Sequence, residues 1–291
     1  MTDRKVDLQQ LLDSVQDLPP LPQAAMKILH LIEDPDSTMT QLAQVLRLDE
    51  ALLGRVLTWA NSPFYGGISK VHTAEQAMMR LGMSTLRQLV LATSTTNLLG
   101  RPLRGYAMIR GELWRHSIAV ASGARLVMAQ NHRDLQDQAY VAGLLHDVGK
   151  LVFDTFVQQT DFCDLPEQNN GGQDGPSFDE IESDLLGMDH AQLGAEVGRR
   201  WNLPDDLVEA IAYHHDPSRA SADGKLVAAA VHVADAAALM AGLGLGIDGL
   251  DYRLDVAALE AIGWAPADME TLMTEEYHAV SWAEEFMSEG R

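Results

Sequence analysis

The chain has 291 residues, 46% of them hydrophobic and 22% charged, the composition of a globular protein and not of a disordered or fibrous one. Its 21 Lys and Arg against 42 Asp and Glu leave a net charge of −21, a surface that repels phosphate backbones and argues against general nucleic-acid binding. The one cysteine, Cys163, excludes an internal disulfide framework and a Cys-rich zinc site. The length suits one large domain or two small ones. The polar opening MTDRKVDLQQLLDSVQDLPP has no apolar core of a signal peptide, so a cytoplasmic location is expected.

In chain order, Thr38 with Gln41 forms a capping box ahead of Leu42, Val45 and Leu46. Asp49 can cap a second helix whose Leu52, Leu53, Val56, Leu57 and Ala60 recur at helical spacing. Asn61-Ser62-Pro63 and Gly66-Gly67 stop it. Two short helices joined by a tight turn could read DNA, but Asp49–Ala60 offers only Arg55 as a base and leads with Asp49 and Glu50, so helical packing is the better account. Thr73 with Gln76 makes another capping box before Ala77, Met78 and Leu81, with Gly82 as a stop. Ser84 then opens a helix towards Leu98. Met78, Met79 and Met83 read as core filler, with an adaptable partner groove as the alternative.

Arg101–Gly111 reads as a connection between two helical halves, and Trp114–Ser117 starts a helix. Leu165–Pro176 is too rich in Asn and Gly to be regular, after which Ser177 and Glu180 restart a helix. Leu226 to Ile247 is nearly unbroken in apolar character and long enough to span a bilayer. It carries His232 and Asp235 near its middle, however, which favours a buried helix with a polar face. The tail after Asp248 mixes acids with Trp264, Trp282 and Phe286, as amphipathic helices packed on the body would. No alternating strand and no fixed-period repeat occurs, so an all-α fold is expected.

Histidines and acids recur through the second half: His116, His146-Asp147, His190, His214-His215, then His232 and Asp235. Apolar residues flank nearly all of them, so they should sit in or near the core, where such groups need partners. A shared metal ion is one economical partner, and imidazole with carboxylate suits Fe, Mn, Ni or Zn. His146 and Asp147 are adjacent and would converge only at a helix end. A bound ion would lower the pKa of water and generate a nucleophile for phosphoester attack, with Lys150, one turn beyond His146, balancing phosphate charge. The competing readings are a helix cap and a hydrogen-bonded core histidine for His146-Asp147, and a solvated helix residue for Lys150. His232 could support a ligand or be packed core. His30, His72, His132 and His278 lack such company and read as surface or structural, and Cys163 as inert.

The order H…HD…H…HH…D resembles the HD phosphohydrolase superfamily. Leu18–Pro22, the Ala60–Gly66 turn and Ala77–Gly82 resemble its HDOD branch, the HD-related output domains. Trp114–Ser117, Gly143–Gly149, Glu182 ahead of His190, and Trp201–Pro204 before His214-His215 continue the likeness over roughly residues 15 to 240. The resemblance implies an all-α bacterial signalling module, often attached to receiver or sensor domains. Many members lack a complete metal set and are regarded as regulatory, whereas this chain keeps every His and Asp of the order. It reads DPSRASADG after His215 where the related HD-GYP cyclic-di-GMP phosphodiesterases carry Gly-Tyr-Pro, which argues against that activity.

The reading is therefore a two-lobed helical protein, residues 15–107 forming an interaction lobe and 108–291 an HD-like bundle. Its function would be that of a bacterial signalling module that binds a partner protein or a phosphorylated small ligand, without nucleic acid or membrane. The alternative is a metal-dependent phosphohydrolase acting on a nucleotide or cyclic dinucleotide. One or two ions are expected: His116, His146, Asp147 and Asp235 for the first, and His190, His214 and His215 for the second. Asp147 and Lys150 would be catalytic.

Overall fold

The computed structural model describes residues 8–34, 36–62, 69–158, 177–222, 224–247 and 254–288. Pro63 and Gly66-Gly67 of the expected stop, Cys163, the Leu165–Pro176 loop and Asp248 lie outside them. Fifteen helices are described: α1 (Leu8–Ser14), α2 (Gln23–Glu33), α3 (Met39–Leu46), α4 (Glu50–Ala60), α5 (Ala74–Leu81), α6 (Met83–Leu99), α7 (Glu112–Asn131), α8 (Gln136–Leu145), α9 (Lys150–Val157), α10 (Phe178–Leu186), α11 (His190–Arg200), α12 (Asp205–Ala212), α13 (Lys225–Met240), α14 (Val256–Ile262) and α15 (Met269–Ser288). Among the described residues there is no strand, and the single β-type feature is an isolated bridge between Leu103 and Met108. The all-α expectation holds.

The chain divides into two compact units, one of residues 1–20 and 98–277, the other of residues 21–97 and 278–291. The last residues of the chain thus cluster with residues 21–97.

In the larger unit α7, α8 and α13 pack on one another, and α12 lies against α8, α11 and α13. Gly143 lets α8 close onto α7: a Cβ there would stand 2.8 Å from the Ala121 Cα, nearer than real side chains come. Helix α13 is buried from Val227 through Ala238. Each fully buried Val or Leu contributes about 1.5–3 kcal/mol over exposure, and this is what carries His232 and Asp235 into the interior. The apolar run from Leu226 is thus a buried helix that ends at Met240, followed by Gly242 and Gly244, both at φ +74°. No helix among the described residues is long and apolar enough to cross a membrane.

In the smaller unit the caps fall where the sequence places them. Thr38 Oγ1 accepts from the Gln41 N–H at 3.3 Å, and Gln41 Oε1 accepts from the Thr38 N–H at 2.7 Å. Asp49 caps α4 through the Leu52 N–H at 3.0 Å. Gly82, at φ +84°, ends α5 in a conformation that favours glycine. Helix α4 buries Leu52, Val56, Trp59 and Ala60, and the Trp59 ring meets Trp282 and Phe286 edge-on at 5.5 and 5.6 Å.

Candidate metal centre

Four helices and two turns of the larger unit bring the predicted residues together. Helix α7 carries His116 in its second turn and α13 carries Asp235. Helix α8 ends at Leu145 and α9 begins at Lys150, so His146-Asp147-Val148-Gly149 forms the turn between them. That turn frees the adjacent His146 and Asp147 from helical spacing. Gly149 is required there, because a Cβ would overlap the His190 carbonyl oxygen and stand 2.7 Å from the Gly194 N. The contact seats the turn on the start of α11, where His190 is the first residue, while His214 and His215 follow the end of α12.

His116 Nε2 lies 3.0 Å from Asp235 Oδ1 and 3.6 Å from Asp147 Oδ2. His146 Nε2 lies 3.4 Å from Asp147 Oδ2 and 3.8 Å from Asp235 Oδ1. His190 Nε2 lies 3.2 Å from Asp147 Oδ1 and 2.9 Å from His215 Nε2. The His146 and His214 rings are 4.9 Å apart, and His214 and His215 4.0 Å apart. Three triads place ligand atoms within 4.8 Å of one another: His116–His146–Asp147, His146–His214–Asp235 and His190–His214–His215. The Lys150 Nζ donates to Asp147 Oδ2 at 2.7 Å, its side chain buried with the rest. His215 is the half-buried member of the cluster.

The ring orientations carry the chemical meaning. Nδ1 of His116, His146 and His214 lies 3.0, 2.8 and 2.8 Å from the carbonyl oxygens of Leu243, Gly143 and Ile211. A carbonyl only accepts, so each Nδ1 carries the proton and donates it. His190 Nδ1 donates instead to the Glu182 carboxylate at 2.6 Å. All four rings therefore turn Nε2 inward, and Nε2 of His146 and of His214 is buried without a hydrogen-bond partner. An unpaired buried ring nitrogen costs about 1–3 kcal/mol, and an imidazole held by its far nitrogen with a bare Nε2 is the arrangement of a metal ligand. The donor set of imidazole and carboxylate thus fits a divalent transition metal.

Protonation follows the same lines. Burial pushes His214 and His215 well below the usual histidine range, reinforced by neighbouring imidazoles, which leaves them neutral for ligation. Burial also opposes charge on His116, but the hydrogen bond and charge of Asp235 outweigh it and the value rises. For His190 the Glu182 charge overcomes burial and carries it well above the usual value. Burial disfavours ionised Asp147 and Asp235, yet His146 and Lys150 beside it hold Asp147 well below the carboxylate range, and His116 brings Asp235 down to about 2.

His232 is satisfied on both sides, donating Nδ1–H to the His214 carbonyl at 2.8 Å and accepting the Asp255 N–H at Nε2 at 2.9 Å. It is a packed core histidine that holds the His214 backbone. Sequence reasoning gave no role to two buried acids. Glu182 accepts from Tyr106 and His190, and its signal is an acid on the buried face of α10, beside Leu186. Glu276 is fully buried on α15, and neither of its oxygens is hydrogen-bonded. A Cβ on Gly123 would overlap its Oε1. Burial, and then the Asp235 charge, push Glu276 well above the usual range. Its signal is an acid in step with Met269, Leu272 and Val280, at core spacing.

A helical protein with His and Asp gathered from three helices and two turns is what the fold and the site define. The HDOD domain family matches residues 18–217, and the chain belongs to it. An uncharacterized protein of Treponema pallidum (strain Nichols) is 29% identical over 206 residues, 70% of this chain and 39% of that protein, so the chain spans well under half of this curated relative. An HDOD domain protein of unknown function from Geobacter sulfurreducens shares the fold at a TM-score of 0.67 and 24% identity, over 98% of this chain and 97% of that one. A candidate signal transduction protein from Marinobacter aquaeolei VT8 is similar at a TM-score of 0.69 and 25% identity, over 99% of this chain and 65% of that one.

Proposed function

We propose that the chain is a cytoplasmic HDOD signalling module that holds an HD-type centre of one or two divalent ions (Fe, Mn, Ni or Zn) and uses it to bind a phosphorylated small ligand or to pass a conformational state to a partner protein. The observation that carries this reading is the pair of buried, unpaired Nε2 atoms of His146 and His214 among carboxylates. His116, His146, Asp147 and Asp235 would hold one ion, and His190, His214 and His215 the other. A bound ion supplies Lewis acidity towards a phosphoryl oxygen and acidity to coordinated water. Lys150, on Asp147 Oδ2 at 2.7 Å, sets a cation beside that carboxylate, where it can balance phosphate charge. Buried walls exclude water around the cluster, and half-buried His215 marks its accessible edge.

A second reading, hydrolysis of a phosphoester on a nucleotide or cyclic dinucleotide, is favoured by the complete His/Asp set together with buried Lys150. In it Asp147 positions the ion and Lys150 the phosphate. One experiment addresses both readings: elemental analysis of protein purified without chelator or added metal, with a phosphoester screen, for the wild type, Asp147→Ala and the isosteric Asp147→Asn. One or two equivalents of metal, lost in the variants, is the expected result. Protein that stays folded, carries no metal and resists reconstitution overturns the metal reading. Turnover that survives in the variants overturns the hydrolytic one.

A further inference from the structure

We infer that Glu182 is a positioning residue that fixes the ring of His190, with Tyr106 as its anchor, and that the ion held by His190, His214 and His215 depends on this carboxylate while the ion at His116 does not. The second half of this statement rests on the metal reading above; the first does not. Glu182 stands on α10 and is fully buried. Its Oε2 accepts two donors from the same residue, the His190 backbone N–H at 2.7 Å and the ring Nδ1–H at 2.6 Å. Its Oε1 accepts the Tyr106 hydroxyl at 2.6 Å. Two bonds from one oxygen to backbone and ring of a single residue define both where His190 sits and how its imidazole is turned. A carboxylate has no proton to give, so Nδ1 donates and Nε2 faces Asp147 Oδ1 and His215 Nε2.

The other inward rings are anchored differently. His116, His146 and His214 donate to peptide carbonyls, whereas His190 donates to an ionic acceptor. Hydrogen bonds to a carboxylate are roughly twice as strong as neutral ones, and they raise the basicity of the ligating nitrogen. Glu182 thus distinguishes one half of the cluster from the other. Tyr106 makes the arrangement stiff. It is fully buried in the turn bridged by Leu103 and Met108, its carbonyl accepts the Ile247 N–H at 3.0 Å, and its ring centroid lies 5.6 Å from the Lys150 Nζ. A circuit results: Lys150 to Asp147, Asp147 to His190, His190 to Glu182, Glu182 to Tyr106, and the Tyr106 ring back to Lys150. A purely structural role would confine Glu182 to capping the first backbone N–H of α11.

The test compares wild type, Glu182→Gln and Tyr106→Phe, each shown to be folded by its thermal transition. Glu182→Gln keeps the shape and removes the charge; Tyr106→Phe leaves the carboxylate in place with one bond fewer. The first readout is the imidazole NMR signals of His190 in chelated protein. A protonated Nδ1 whose proton resonance lies far downfield in wild type and moves upfield in Glu182→Gln is the expected signature. The second is a stepwise titration with Mn²⁺ or Zn²⁺. Glu182→Gln should weaken one step about 10–100-fold and leave the other within about twofold, and Tyr106→Phe should weaken the same step less. A bare Nδ1 on His190 in wild type overturns the inference outright, and equal loss in both steps overturns the claim of selectivity. Wild type that binds no ion yet shows the downfield Nδ1–H, displaced in Glu182→Gln, overturns the metal reading and leaves the positioning role supported.

Discussion

Glu276 illustrates how one side chain can set the pH response of the fold. Its carboxyl is buried without a hydrogen bond and raised well above the ordinary 4.5, by burial and then by the Asp235 charge, so the folded chain holds it protonated. A group raised on folding gives its full stability below the unfolded value and loses it as pH climbs through the folded one. Between those limits stability falls by up to about 1.4 kcal/mol per pH unit. The melting temperature of chelated wild type should therefore decline from pH 5 to pH 8 more steeply than that of Glu276→Gln. Equal slopes in a thermal scan series would remove Glu276 from the account. At this scale the candidate cluster was legible because His and Asp stand in an ordered series among apolar neighbours. The groups that orient them were not. Leu243, Gly143 and Ile211 act through their backbone oxygens, which no side chain advertises, and Tyr106 and Glu182 meet only in the fold.

Among the elements, the turn from α8 to α9 decides whether a site exists at all. Gly149 lets that turn approach the first residue of α11, and a methyl group there would collide with backbone, which cannot swing aside as a long side chain does. Gly149→Ala should therefore cost stability of the order of the largest overpacking penalties, about 1–3 kcal/mol or more. It should also part Asp147 from His190 and weaken ion binding by more than it lowers the melting temperature; calorimetry with an ion titration measures both. Binding unchanged from wild type would contradict the geometry. Helix starts were legible where a polar side chain closes on the backbone, as at Thr38, Asp49 and Ser177. Thr73 likewise caps α5 through the Gln76 N–H at 3.2 Å, though Gln76 reaches back to the His72 N–H at 2.8 Å, one residue beyond the expected partner. Other starts were less legible. Helix α7 opens at Glu112, ahead of Trp114, because Gly111 at φ +91° ends the preceding turn, and Ser84 lies inside α6, which starts at Met83.

For the whole molecule, a net charge of −21 combines with a cluster in which carboxylates and imidazoles are packed away from water. A cation that binds only the folded chain stabilises it by about 2.7 kcal/mol at a free concentration 100 times its dissociation constant. Adding Mn²⁺ or Zn²⁺ to chelated protein should accordingly raise the melting temperature, by a few degrees for a chain of this size, and Asp147→Asn should abolish the rise. A rise of the same size in that variant would place the ion on the acidic surface and not in the cluster. The helical class was legible from periodicity and the absence of alternation. The grouping of residues 278–291 with 21–97 was not, since the amphipathic pattern of α15 states that it has a buried face and says nothing of what covers it.

The carbonyls that receive His146 and His214 belong to Gly143 and Ile211, three residues earlier in each case, in the last turns of α8 and α12. Those are the oxygens a helix leaves without amide partners where it stops. Each imidazole thus finishes its own helix with the proton that commits its other nitrogen to the interior, and secondary structure and ligand chemistry share one bond. An alanine at either position removes a helix terminator and a proposed ion donor together. Asparagine, which also serves at helix ends, is the replacement that can separate the two.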